Sequence, residues 1–99
     1  MDTWLDEEVR AREELVIREV LSLFPRPASI KGIEIEFGED HSGDPAVRIW
    51  LIVPKNLPLK GPKWEAAFSF CERLGRALVE KRLRHWPYVN MRTRSLATA

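Results

Sequence analysis

Between Gly32 and Pro54 the chain alternates apolar and polar residues twice, on either side of an acidic, glycine-containing loop. Strict alternation over such lengths marks strands with one buried face. Two such strands joined by a turn-rich loop read as a β-hairpin. The first strand is predicted from about Ile30 to Phe37, with Ile33, Ile35 and Phe37 inward and Glu34 and Glu36 outward. The second is predicted from Ala46 to Val53, with Val47, Ile49, Leu51 and Val53 on one face and Arg48, Trp50 and Ile52 on the other.

The flanking segments carry a helical period instead. Leu5, Val9, Val16, Val20 and Phe24 recur near helical spacing, and Leu21 and Leu23 widen the stripe. Thr3 is placed to cap this helix, and Asp6, Glu7 and Glu8 favour its positive end. Arg12 or Glu13 interrupts the stripe, which predicts a partly exposed side. Pro25 and Pro27 end the helix. After the hairpin, Pro54, Pro58, Gly61 and Pro62 mark a loop, and Pro62 suits a first helical position. The second helix is predicted to reach about Arg84, with Ala67, Phe70, Cys71, Leu74, Ala77 and Leu78 as its apolar face. Gly75 inside it costs about 1 kcal/mol against alanine unless something packs closely there. Trp86 and Pro87 terminate it, and His85 reads as part of that helix end. A last strand is predicted from Tyr88 to about Arg94, and the tail SLATA is expected to fray.

The element order is αββαβ. It predicts an α+β domain with a three-stranded antiparallel sheet, the third strand beside the first, and both helices on one face. The other face then carries Glu34, Glu36, Arg48, Trp50, Ile52, Tyr88, Asn90 and Arg92.

A length of 99 residues fits one domain spanning 1–99. No apolar run approaches the roughly 20 residues of a membrane span, and no membrane partner is expected. The acidic start, MDTWLDEEVR, predicts neither a signal nor a transit peptide. Cys71 is the single cysteine, so no internal disulfide or multi-cysteine zinc site forms within one chain. It reads as a buried helix residue, and a cytoplasmic location is expected. Net charge is +1, but residues 1–53 hold 12 acidic and 6 basic residues, and residues 54–99 hold 3 acidic and 10 basic. The simplest source of this split is an acidic helix packed beside a basic one.

The outer sheet face is the strongest functional signal. Trp, Tyr and Arg dominate protein interfaces because they offer large rigid area with polar handles. Arg48, Trp50, Ile52, Tyr88, Asn90 and Arg92 are the candidate interface, set against a cross-strand cluster satisfied within the chain. Arg73, Arg76, Lys81, Arg82 and Arg84, preceded by Lys55, Lys60 and Lys63, suggest a nucleic-acid surface on the second helix. Neither a GxxG loop nor an aromatic RNP-like strand accompanies them, and Glu34 and Glu36 would repel phosphates. Glu39, Asp40, His41 and Asp44 gather in the hairpin loop as weak candidates for metal binding or acid–base chemistry. Their spacing matches no calcium or zinc signature, and the same residue types serve a turn. No serine lies in a nucleophile-elbow context, no phosphate loop is present, and no catalytic residue or cofactor is assigned.

The stretch GIEIEFGEDHSGDPAVRIWLIVP, followed by a helix and HWPYVNMRT, resembles a group of small stand-alone bacterial proteins of unknown function. Their shared hairpin pattern, GxE…FGED…GDPAV, implies an association with toxin–antitoxin or mobile-element neighbourhoods. The element order is also similar to the cytoplasmic dimerisation domain of cation-diffusion transporters, a likeness of fold that carries no function with it. That family's membrane helices and His/Asp ligand pattern are missing here. The expected function is a non-enzymatic interaction module, a homodimer or the small subunit of a complex, antitoxin-like or accessory. The alternatives are a KH-like or ferredoxin-like nucleic-acid module using the second helix, and a metal-dependent enzyme using the hairpin loop.

Overall fold

The computed structural model describes residues 3–93, with side chains described for residues 7–93. Thr3, Leu5 and Asp6 as side chains, and Arg94 with the tail 95–99, lie outside the described residues. The elements are α1 (Thr3–Leu23), β1 (Gly32–Glu39), β2 (Pro45–Val53), α2 (Pro62–Glu80) and β3 (Trp86–Thr93). Together they form an α+β fold in the predicted αββαβ order.

The sheet order is β1-β2-β3, with β1 and β2 antiparallel and β2 and β3 parallel. This corrects the expected antiparallel sheet with the third strand beside the first. The direction of β3 follows from length. Helix α2 has 19 residues and rises about 28 Å, close to the length of the strand it follows. The chain therefore leaves β2 at one end of the sheet, returns along α2 to the other, and starts β3 parallel to β2. β2 takes the centre because it is apolar on both faces. Val47, Ile49, Leu51 and Val53 are buried on the helix side, and Ala46 and Ile52 are buried on the outer side. β1 and β3, which carry charged or polar residues outward, become the edges.

The core joins these β2 residues to Ile17 and Val20 of α1 and to Ala67, Phe70, Leu74 and Leu78 of α2. Ile17 is fully buried, whereas the expected stripe ran through Val16, which is only half-buried. Glu13 then falls on the inward face one turn before Ile17. The expected exposed side at Glu13 is in fact buried.

Helix α2 stops at Glu80, earlier than the expected Arg84, and Trp86 and Pro87 belong to β3. Arg82 adopts a left-handed conformation with φ 53° just past the helix, a position that usually favours glycine. The reversal delivers Arg84 and His85 to Glu13, which accepts from the Arg84 amide at 2.5 Å and the His85 amide at 3.1 Å. His85 Nδ1 lies 2.8 Å from the same carboxylate. A carboxylate only accepts, so the ring carries a proton at Nδ1. Phe37 meets the imidazole edge-on at 5.0 Å. His85 is thus a buried link between α1 and the turn before β3, which corrects its reading as part of the helix end. This Glu13–His85 hydrogen bond ties α1 to the turn before β3, and among the described residues no ion pair joins α1 to α2.

Candidate interaction surface

Four register rows build the outer sheet face, and the one at the hairpin end sets Gly38 beside Ala46 and Trp86, which is 52% exposed. Glu34 lies beside Trp50 and Asn90, Glu36 beside Arg48 and Tyr88, and Gly32 beside Ile52 and Arg92. No helix covers this face, yet its side chains are held. The Arg92 guanidinium lies over the Trp50 ring at 4.3 Å and pairs with Glu34 at 2.5 Å, reaching from one edge strand to the other. Trp50 Nε1 donates to Glu36 at 3.2 Å. Trp50 is therefore roofed by an ion pair and pinned at its rim. Arg48 lies 6.0 Å from the Tyr88 ring centre, and its guanidinium donates to the Glu39 carbonyl. The cluster expected as the alternative to an interface is present within one chain.

Exposure remains substantial on that face. The Arg92 and Glu34 side chains are each nearly half exposed. Arg48, Trp50 and Tyr88 are half-buried and Asn90 is exposed. Ile52, offered as an interface anchor, is only 3% exposed and so presents little surface. The structure thus brings five of the six candidate residues together at the surface and buries the sixth, Ile52, beneath them on the same side of the sheet.

The hairpin loop serves its own turn. Asp40 Oδ1 accepts from the amides of Ser42 and Asp44, and Oδ2 accepts from the Tyr88 hydroxyl at 3.2 Å. The Asp44 amide first, then those of Ser42 and the Tyr88 hydroxyl, hold the Asp40 carboxyl below the usual carboxylate range. Partial desolvation, helped by the Asp40 charge, pushes the Tyr88 phenol up. Gly43 takes φ 84°, a backbone geometry that suits glycine, and its amide donates to the Asp40 carbonyl. Among the described residues no three His, Cys, Asp or Glu side chains are placed to hold a metal ion, Glu39, Asp40, His41 and Asp44 included.

The basic residues of α2 separate into two settings. Arg73 and Arg76 are exposed but share their helix face with Glu72 and Glu80. Lys81, Arg82 and Arg84 are exposed at the hairpin end of the sheet. A different cationic group gathers at the opposite end. The connections 24–31 and 54–61 carry Arg26, Lys31, Lys55 and Lys60, all exposed, and no carboxylate, and exposed Lys63 and Glu65 follow in the first turn of α2. Between them lies a cavity of about 530 Å³ lined mainly by Pro27, Pro54, Leu57, Pro58 and Pro62, with Lys31 and Lys63 at its wall. Sequence reading had grouped the lysines with α2; Lys63 does belong to its first turn, and the apposition of the two loops sets Lys31, Lys55 and Lys60 apart from it.

A second surface had no forecast. On α2, Trp64, Phe68, Cys71, Gly75 and Val79 fall on one flank, beside the core stripe. Trp64 stacks on Phe68 with ring centres 6.2 Å apart. Phe68 is 46% exposed and Val79 41%. The recurrence of i, i+4, i+7, i+11 and i+15 was readable in the sequence, but the core stripe of the same helix masked it.

No protein-family model, curated protein or solved structure matches this chain. Among the described residues no helix is long and apolar enough to cross a membrane.

Proposed function

We propose that this protein is a non-enzymatic interaction module that binds another protein through the open face of its sheet. The observation that carries this reading is the Glu34–Arg92–Trp50–Glu36 assembly. An indole and a guanidinium stand at the surface already fixed in one geometry. Binding usually pays to immobilise such side chains, about 0.5–1.5 kcal/mol each, and here most of that ordering precedes the partner. Trp, Tyr and Arg are also the residue types that anchor interfaces. An antitoxin-like or accessory role, implied by the resemblance of the hairpin, is one form such a module takes.

The test is affinity capture from the source cell with three baits: wild type, Trp50→Glu and Phe68→Glu. A partner retained by wild type and Phe68→Glu but lost with Trp50→Glu supports the face. A partner held equally by wild type and Trp50→Glu rejects it. Far-UV circular dichroism of each bait confirms that the fold survives.

A second reading is favoured by the lysine-rich end. Four cations on two adjoining loops without a carboxylate, with Lys63 at the start of α2, suit a polyanion such as a nucleic acid better than the mixed charges further along α2 do. Binding there should weaken with salt with a log–log slope of about −0.9 per phosphate contacted on duplex DNA. Lys55→Glu with Lys60→Glu should then abolish it, while Arg73→Glu with Arg76→Glu should leave most of it. The reverse pattern would return the reading to α2, and salt-independent or absent binding would end it.

A further inference from the structure

The apolar flank of α2 overlooks the free edge of the sheet. Cys71 Sγ donates to the Val89 carbonyl at 3.4 Å. A Cβ added at Gly75 would lie 3.9 Å from Val89 Cγ2 and meet nothing closer. The flank therefore leans over β3, whose outer side has no strand partner among the described residues. An unpaired strand beside an exposed aromatic and aliphatic stripe is an unfinished layer.

We propose that two copies of this chain close that layer about a two-fold axis, β3 pairing antiparallel with β3 and the second stripe of α2 packing on its counterpart. The sequence of β3 suits itself in this arrangement. Centred on Asn90, an antiparallel ladder sets Val89 opposite Met91 on the helix side and Tyr88 opposite Arg92 on the outer side. One pair is apolar, the other sets Tyr88 opposite an Arg92 whose charge is already matched by Glu34, and no like charges meet. The same operation on β1 would set Glu34 opposite Glu36, a like-charge pair that destabilises. The helix stripe carries no charged residue at all, so nothing on it selects a charged partner over a second copy.

Gly75 supports the same occupant. A mid-helix glycine costs about 1 kcal/mol against alanine, and nothing within the chain packs close enough to require it. Between Cys71 and Val79 on the exposed flank, it lets a second helix backbone approach. The helix half of the dimer stands apart from the proposed protein-binding face, because Trp50 lies on the outer side of the sheet and the α2 stripe on the helix side, whereas the strand half borders that face at Tyr88 and Arg92.

Sedimentation equilibrium over micromolar concentrations tests the assembly, and disulfide trapping tests its register. Wild type should be a dimer of the 11.5 kDa chain. Phe68→Glu with Val79→Glu changes two exposed positions and should weaken association by about 30-fold or more while thermal melting of the monomer holds. In a Cys71→Ser background, Asn90→Cys should form an intermolecular disulfide on mild oxidation. Residues opposite each other in an antiparallel ladder have Cα atoms about 4.5–5.5 Å apart, within disulfide reach. Glu36→Cys in the same background should stay reduced. A monomeric wild type, a dimer that Trp50→Glu breaks and the helix pair spares, or cross-linking at Glu36→Cys and not at Asn90→Cys would each overturn the proposal.

Discussion

Replacing Glu13 by alanine should cost this domain a substantial part of its stability. The side chain is 8% exposed and accepts three hydrogen bonds, from the Arg84 amide, the His85 amide and His85 Nδ1. Alanine would strand two backbone donors and one imidazole donor at a site that is nearly dry. An unsatisfied buried donor costs about 1–3 kcal/mol. Water entering the vacated space would satisfy part of the set, and the variant also escapes the desolvation of a carboxylate. The net expectation is a loss of about 2–4 kcal/mol, set by the two amides. A domain of this size has about 5–15 kcal/mol in total. Urea unfolding followed by far-UV circular dichroism at neutral pH measures it, with the m-value checked for constancy. Glu14→Ala is the control. Glu14 is on the same turn but exposed, pairs only with Arg18 at 2.8 Å, and should cost about 0.5 kcal/mol or less. A double-mutant cycle with His85→Ala should show coupling above about 0.5 kcal/mol, since the two groups touch. Equal stabilities for Glu13→Ala and Glu14→Ala would refute the reasoning that this carboxylate fastens α1 to the 81–85 turn.

Three further outcomes are expected. Arg82→Gly should stabilise the chain by about 1 kcal/mol, because φ 53° penalises a side chain and suits glycine; a lower urea midpoint would refute it. Asp40 has a lowered carboxyl pKa in the folded protein, so its contribution to stability is full above about pH 4, the unfolded value. That contribution drains away as pH falls through the folded value, and Asp40→Asn should flatten the acid limb of the stability profile; parallel profiles for variant and wild type would count against it. Gly75→Ala should raise the unfolding midpoint of dilute, monomeric protein by the equivalent of about 1 kcal/mol and weaken self-association in the same preparation. Tighter association would show that the glycine is not reserving space for a second helix.

The sequence disclosed the elements better than their order in the sheet. Period-two alternation located β1 and β2 because it reports which way each side chain faces, a local property. The partner of β3 depends on the length and path of α2, which is not local. One signal for the centre strand was present: Trp50 and Ile52 make β2 apolar on the face where β1 offers Glu34 and Glu36. A strand apolar on both sides belongs between two others. Glu13 and His85 were misread for a related reason. Each looks solvated in its own segment, and they lie 72 positions apart, so only the fold shows that one satisfies the other. The candidate face was legible residue by residue, except at Ile52, whose burial follows from its place near the end of the central strand.

The two edges of the sheet differ in a way that bears on assembly. An exposed strand edge is a template for pairing, and proteins blunt it with charge. β1 carries Glu34 and Glu36 on its outer face, and both are also used, one by Arg92 and one by Trp50. These carboxylates hold the surface cluster together and at the same time make β1 a poor match for another copy of itself. β3 has no carboxylate. Its one cation, Arg92, is drawn inward across Trp50 to Glu34 and leaves the edge close to neutral. The ion pair that fixes the outer face therefore also reduces the charge on the edge that we propose to pair. Arg92→Glu would reverse both effects at once, placing a carboxylate beside Glu34 and another on β3. It should loosen Trp50, seen as a red-shifted indole emission, and oppose self-pairing of β3. Trp50→Phe removes the indole donor to Glu36 and keeps the charge of β3, so it should disturb the face and spare the dimer. If both variants dissociate the dimer equally, the association runs through the face and not through the edge.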